Sequence, residues 1–204
     1  NGDDTIYGTA FYMAAEQDKD TIDGGAGNDW VDYRNISHGL TVTLNGATAA
    51  TVSFGGTASD NATYADTVVN IENVRGGSGA DNITGDSGDN MLDGWSGVDT
   101  INGGAGNDTI TARANAGETL NGGIGTDTLQ LAQSVDFRSM TLSNFETLDI
   151  QNYYSYMYFS QFDQFTKVTG SGRLYFYGTA VNDTLDFSDI DFSSFTGSIY
   201  YADA

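Results

Sequence analysis

The sequence predicts an all-β protein: a parallel β-roll, or β-solenoid, that continues into an irregular, aromatic-rich β-solenoid. Three observations predict it. A nine-residue block with a glycine-rich half recurs in register along the chain. Each block carries one apolar residue at a fixed place after an aspartate. The last quarter of the 204 residues is crowded with tyrosine and phenylalanine in short apolar-x-apolar segments.

The blocks are Gly-Gly-Ser-Gly-Ala-Asp-Asn-Ile-Thr (76–84), Gly-Asp-Ser-Gly-Asp-Asn-Met-Leu-Asp (85–93), Gly-Trp-Ser-Gly-Val-Asp-Thr-Ile-Asn (94–102) and Gly-Gly-Ala-Gly-Asn-Asp-Thr-Ile-Thr (103–111). A ten-residue block follows, with Glu118 at the aspartate position and Leu120 at the apolar one, and then Gly-Gly-Ile-Gly-Thr-Asp-Thr-Leu-Gln (122–130). The same block stands at 24–32, and fragments of it at Gly2-Asp4-Ile6, Asp20-Ile22 and Gly178-Asp183-Leu185. The glycines allow backbone angles that Cβ-bearing residues avoid. The residues after the aspartate form a short strand with one side chain inward. Ile83, Leu92, Ile101, Ile110, Leu120 and Leu129 are the expected inward residues. One such strand buries nothing alone, so two blocks make a coil and coils stack at about 4.8 Å with parallel pairing.

Stacking places like turns over one another. Asp81, Asp99 and Glu118 fall in one column, and Asn90, Asp108 and Asp127 in the other, with Asp89 beside Asn90. Carboxylates this close repel by about 1 kcal/mol per pair even in water. A divalent cation in each gap reverses the sign of that interaction, and calcium, a hard cation taking oxygen ligands, suits the site. Composition agrees. The chain has 28 acidic and 7 basic residues for a net charge of −21, and only 4 of the acids are glutamate. Short, rigid aspartates suit turns. A face this acidic excludes nucleic acid as a partner. No apolar run approaches the roughly 20 residues of a membrane span. With no cysteine there is no disulfide framework or thiolate site, so the core, the backbone ladders or metal must hold the fold. Residue 1 falls inside a fragment of the repeat, so the chain reads as a piece of something longer.

These blocks resemble the RTX, or hemolysin-type, calcium-binding proteins, whose nonapeptide signature is well known. Ala65-Asp66-Thr67-Val68-Val69-Asn70-Ile71-Glu72-Asn73-Val74 is similar to the segment that commonly leads into such repeats. The resemblance covers about 1–32 and 64–130, with weaker echoes to 187. It implies turns that supply the carbonyls of their second and fourth residues and their aspartate, facing the first and third carbonyls and the aspartate of the turn one coil later. On this chain that implies one site from Gly77, Gly79 and Asp81 with Gly94, Ser96 and Asp99. A second joins Gly104, Gly106 and Asp108 with Gly122, Ile124 and Asp127. A third joins Asp86, Gly88 and Asn90 with Gly103, Ala105 and Asp108, and departs from the pattern at Asn90. Glu118 departs too, as a longer side chain that reaches a cation or leaves its gap empty. Near the start, Gly2 and Asp4 pair with Gly24, Ala26 and Asp29. Asp108 then serves two gaps and Asp127 one. Several Ca2+ ions are the implied cofactor.

Two domains are expected: a β-roll over 1–130 with an inserted strand region at 33–64, and an aromatic-rich extension or cap over 131–204. In the insert, Leu40–Leu44 and Ala50–Phe54 alternate at period two and read as strands that continue the solenoid with wider coils. Residues 10–17 form a helix-prone patch. Fifteen of the 23 tyrosines and phenylalanines lie in 151–204. Phe159, Phe162 and Phe165 suggest one helical turn on the core. Tyr156, Tyr158, Tyr175, Tyr177 and Tyr200 either fill a core or form an exposed ladder for self-association or for stacking on a surface glycan.

No catalytic residue is expected. Gly85-Asp-Ser-Gly88 copies a serine-protease string, but Ser87 is in repeat register as a turn residue, and His38 is the single histidine. No His-Glu-x-x-His motif exists. The glycine-rich turns precede strands, so no helix terminus faces a phosphate. The glycosylation patterns at Asn35, Asn61, Asn82, Asn107 and Asn182 are coincidental, and the recurrent threonine after the turn acid is an outward strand residue rather than an ice-binding array. The expected function is a non-catalytic structural module of a secreted bacterial adhesin, surface layer or filament that folds on extracellular calcium, and the resemblance implies export by a type I channel. The alternative is the calcium-dependent tail of a secreted protease, lipase or polysaccharide epimerase.

Overall fold

The structure is a computed structural model that describes residues 2–7, 20–55, 65–178 and 186–202. The helix-prone patch at 10–17, Asn61, Asn182, Asp183 and Leu185 lie outside them. In chain order the strands are β1 (Thr5–Tyr7), β2 (Thr21–Asp23), β3 (Trp30–Asp32), β4 (Leu40–Thr43), β5 (Ala50–Phe54), β6 (Asp66–Val69), β7 (Asn73–Arg75), β8 (Asn82–Thr84), β9 (Met91–Asp93), β10 (Thr100–Ala105) and β11 (Thr109–Ala112). There follow β12 (Thr119–Ile124), β13 (Thr128–Leu131), β14 (Val135–Asp136), β15 (Thr141–Ser143), β16 (Thr147–Asp149), β17 (Tyr154–Tyr158), β18 (Lys167–Gly170), β19 (Arg173–Tyr177), β20 (Asp191–Phe195) and β21 (Ser198–Ala202). Among the described residues a short α-helix, α1 (Phe159–Phe162), buries Phe159 and Phe162 against the core.

Odd and even blocks separate as the nine-residue period requires. One nine-stranded sheet runs β1-β3-β7-β9-β11-β13-β16-β18-β20, and β8, β10 and β12 belong to an eight-stranded sheet, β15-β12-β10-β8-β4-β5-β6-β2. Pairing is parallel, in register at the inward residue. Val74, Leu92, Ile110, Leu129, Leu148 and Val168 succeed one another up the first sheet. Val42, Ile83, Ile101, Leu120 and Leu142 do so up the second. The six inward residues expected from the repeats are all 0–1% exposed. Because each strand is so short, the two apolar columns support one another across the roll, and removing any rung opens a cavity.

The insert departs from expectation. β4 joins the stack in parallel on β8, but β5 turns back antiparallel to β4 and to β6. Residues 40–54 are therefore a hairpin spliced into one sheet, not a wider coil. The short turn Asn45–Thr48, closed by the Thr48 N–H to the Asn45 carbonyl, reverses the chain before a coil can be completed.

Beside the first sheet, a rail of ion pairs links the residues that follow the inward column. Arg75 bonds both Asp32 (3.2 Å) and Asp93 (3.1 Å), and Arg113 bonds Asp93 at 2.8 Å. Their guanidinium planes cover Trp30 and Trp95, with Arg113 only 4.2 Å from the Trp95 ring centre. Burial opposes charge on Asp93, yet hydrogen bonds and charge from Arg113 hold its carboxyl below the usual range.

Beyond 131 a third sheet, β14-β17-β19-β21, takes over opposite the first. Its inward residues Met157, Leu174 and Phe176 are 0–1% exposed. The tyrosines between them point outward but are half-buried, because they cover one another. Tyr156 stacks on Tyr175 and Tyr175 on Tyr200, each pair with centroids 4.9 Å apart and planes within 17°. The ladder is thus neither core nor bare surface: ring faces are occupied and edges meet solvent. Tyr175→Ser removes both stackings and is expected to cost about 1–3 kcal/mol at 0.5–1.5 kcal/mol per pair. A thermal melt checks this, and an unchanged midpoint would show the ladder to be structurally idle.

Candidate metal-binding turns

The glycine-rich turns lie directly on one another. At Gly97, with φ of 132°, a Cβ would collide with the carbonyl of Gly79 one coil away. Only glycine permits both that backbone angle and that approach.

The acid that ends each turn is consequently buried. Asp29, Asp81, Asp99, Asp108, Glu118 and Asp127 are all 0–3% exposed. Each coil's turn residue donates its N–H to the carboxylate of the coil that follows: Asp81 to Asp99 Oδ1 (2.9 Å), Asn90 to Asp108 Oδ1 (2.8 Å) and Asp108 to Asp127 Oδ1 (2.8 Å). The spacing is 18 residues for Asp81 and 19 for Asp108. Near the start, Asp4 donates to Asp29 Oδ1 at 2.7 Å. One carboxylate oxygen is thereby satisfied. The other is not: Asp29 Oδ2, Asp99 Oδ2, Asp108 Oδ2, Glu118 Oε2 and Asp127 Oδ2 are buried without any hydrogen-bond donor. The arginine ion pairs go to Asp32, Asp93 and Asp136 instead.

A buried anionic oxygen without a donor is costly, and it is resolved by a proton or by a cation. Burial pushes the carboxyls of Asp81 and Asp108 up to about 6, Asp99 to about 7 and Glu118 to about 8. It raises Asp127 as well.

The residues implied as ligands are brought together. Gly94's carbonyl and Asp81's second oxygen both reach Gly76, and Gly122's carbonyl and Asp108's second oxygen both reach Gly103. The Gly79 carbonyl faces Gly97, and the carbonyls of Gly88, Gly104 and Gly106 face Gly106, Gly123 and Gly125 in turn. Four further carbonyls are shared with direct hydrogen bonds across the gap. The Gly77 carbonyl accepts from Ser96 N–H, Asp86 from Ala105 N–H, Ile124 from Gly106 N–H and Ala26 from Gly2 N–H, at 2.9–3.1 Å. A carbonyl has a second lone pair, so such bonds leave each able to ligate. Gly24 lies against Asp29, and Gly103 between Asp108 and Gly122. Among the described residues no group of three or more Asp, Glu, His or Cys side chains converges. Each gap instead offers two carboxylates at most and a majority of carbonyls, a hard-oxygen donor set that fits calcium.

Two rungs differ. Asn90 turns its Nδ2 to the Glu72 carbonyl at 2.8 Å, and Asn115 turns its Nδ2 to Glu118 Oε1 at 2.9 Å and to the Trp95 carbonyl at 3.4 Å. In both places an amide donor bridges neighbouring turns. Glu118 keeps the column position expected of it, with Asn115 beside it.

Two members of the column were not candidates on spacing. Glu72 Oε2 accepts the Asp29 N–H and Glu146 Oε2 accepts the Asp127 N–H, both at 2.8 Å. Asp127 therefore stands between two acids, Asp108 and Glu146, and not at the end of the column as expected. The available signal was the repeated Asn-apolar-Glu string at 70–72 and 144–146, which lies outside the nine-residue blocks.

Comparison with known families matches the RTX calcium-binding nonapeptide repeat, in 4 copies, to residues 13–34 and 75–110. Those segments carry calcium-binding repeats of the RTX type. A search of curated proteins gives no match.

Without metal, the raised carboxyls set the pH dependence. The folded state holds protons that the unfolded chain releases near its ordinary value of about 4. Their contribution to stability is therefore complete below about pH 4 and lost as pH rises through 6 to 8. In chelator, far-ultraviolet circular dichroism is expected to show more β-structure at pH 5 than at pH 8. The opposite order would contradict the burial of these acids.

Proposed function

We propose that this chain, whose repeats are of the RTX calcium-binding type, is a non-catalytic structural module of a secreted bacterial protein and folds when calcium fills the gaps between its turns. The observation that carries the reading is the set of buried, donorless carboxylate oxygens at the turn acids. Asp81 and Asp99, with the carbonyls of Gly77, Gly79, Gly94 and Ser96, would hold one ion. Asp108 and Asp127, with Gly104, Gly106, Gly122 and Ile124, would hold another. Asp108 would also serve a weaker site with Asp86, Gly88, Asn90, Gly103 and Ala105, and Asp4 and Asp29 one with Gly2, Gly24 and Ala26. Bound calcium supplies the positive charge that these oxygens lack.

The residues then do the rest. At low calcium the columns of acids oppose stacking and the chain stays open, a state suited to export. At extracellular calcium, about 10⁻³ M, modular sites of modest affinity fill, and binding free energy becomes folding free energy. RTX repeats are generally found in secreted extracellular proteins, and a rod of stacked coils with an outer arginine–tryptophan rail suits an adhesin, surface layer or filament. The division into a roll over 1–130 and an aromatic extension over 131–204 belongs to the same proposal, with the acid column reaching into the extension as far as Glu146 and the stacked tyrosines following it.

Circular dichroism in excess chelator at pH 8 is expected to lose β-signal, and to regain it with calcium but not equally with magnesium, whose strict octahedral demand suits carbonyl cages poorly. A spectrum indifferent to chelator would overturn the reading. Asp108→Asn, at a buried rung, is expected to raise the calcium midpoint several-fold, whereas Asp89→Asn, at an exposed neighbour, leaves it nearly unchanged. Equal effects would contradict the assigned register.

A further inference from the structure

The turns at 70–72 and 144–146 share no register with the nine-residue blocks, yet they are built alike. Each reads Asn-apolar-Glu. Asn70 and Asn144 take φ of 49° and 56°, a left-handed angle that asparagine tolerates better than most residues. Their side-chain amides reach back one coil, Asn70 to Asp23 Oδ1 (2.7 Å) and Asn144 to Asn121 Oδ1 (2.6 Å). Ile71 and Phe145 are 1% and 0% exposed. Glu72 and Glu146 each accept the N–H of the turn acid above, as the aspartates of the ordinary blocks do.

Above each short turn lies an aspartate whose second oxygen has no donor: Asp29 Oδ2 over the first, Asp127 Oδ2 over the second, both in residues 0% exposed. The carbonyl of Asn70 and Asp29 Oδ2 converge on Gly24, and the carbonyl of Asn144 and Asp127 Oδ2 converge on Gly122. This is the arrangement at Gly103, where the Gly122 carbonyl and Asp108 Oδ2 meet. The short turn thus presents the carbonyl and the carboxylate of a full glycine-rich turn with three residues in place of six.

We infer that Asn-apolar-Glu is a compact half-site for calcium, so that one ion lies between Asp29 and Asn70–Glu72 and another between Asp127 and Asn144–Glu146. This rests on the calcium reading above and adds two sites to it. Each glutamate holds the register position of a turn acid, immediately before Asn73 or Thr147, which pair with Trp30 and Thr128. One of its oxygens takes the N–H from above and the other is left for the ion.

Equilibrium dialysis against radioactive calcium tests it, on protein whose circular dichroism in saturating calcium matches that of the unaltered chain. Glu146→Gln keeps an oxygen for the Asp127 N–H but removes the charge. It is expected to lose one bound ion per chain, or to weaken one ion at least tenfold. Glu72→Gln is expected to lose another, independently, and so decides the matter if the first variant does not fold. The double variant is expected to lose two. Variants that fold and bind as many ions as tightly as the unaltered chain would overturn the inference while leaving the glycine-rich sites intact. An unaltered chain that binds no calcium would instead overturn the reading on which it rests.

Discussion

At Asp29, Asp99, Asp108 and Asp127 the two carboxylate oxygens have separate tasks, and the architecture follows from that division; Asp81 instead accepts the N–H of Leu40 and of Gly77. One oxygen accepts an amide N–H from the preceding coil, as Asp99 does from Asp81, and so fixes the height and register of successive coils. The other is sealed inside the turn with no donor. The first task can be met only if coils stack closely, which brings the second oxygens into a low-dielectric column of like charge. Glycine at the turn positions is a consequence, since the neighbouring turn's carbonyl occupies the space of a Cβ. So is the single inward residue per block: a strand of three can aim only one side chain at the core.

The molecule treats its charges in two contrasting ways. Asp32 and Asp93 are buried as deeply as the column acids, yet Arg75 and Arg113 satisfy both, and Asp93 stays ionised. That rail is complete without metal. The column acids have no such partners, although arginines were available to evolution one turn away. At Asn90 and Asn115 an amide bridges the turns, although Glu118 Oε2 beside Asn115 is still without a donor. The donorless oxygens are thus confined to Asp29, Asp99, Asp108, Glu118 and Asp127 among the turn acids, while the arginine rail and the tyrosine ladder stand apart from them.

Much of this was legible in the sequence because the repeat is a geometric statement. A nine-residue period, with one apolar place, dictates two columns of inward residues, and Ile83, Ile101 and Leu120 on one side and Leu92, Ile110 and Leu129 on the other occupy them. The pairing of turn acids followed from the same count. What was not legible lies where the count breaks. The hairpin at 40–54 alternates at period two whether it pairs parallel or antiparallel, so its direction is set by the turn and not by the pattern. Glu72 and Glu146 were hidden because a three-residue turn replaces a six-residue one, and the match emerges only when their strands are aligned on Asp29 and Asp127. The tyrosines could be read from the sequence either as core or as an exposed ladder, and that they point outward and cover one another depends on side-chain angles that spacing does not specify.

The central claim, that the donorless oxygens of the turn acids face cations, is tested most directly by anomalous X-ray diffraction at long wavelength from crystals grown in calcium. The account predicts difference peaks between the turns of Asp81 and Asp99 and between those of Asp108 and Asp127, within about 2.3–2.6 Å of the carboxylate oxygens. Well-ordered density at those turns with no anomalous signal, the second oxygens bonded to water or protonated, would contradict it.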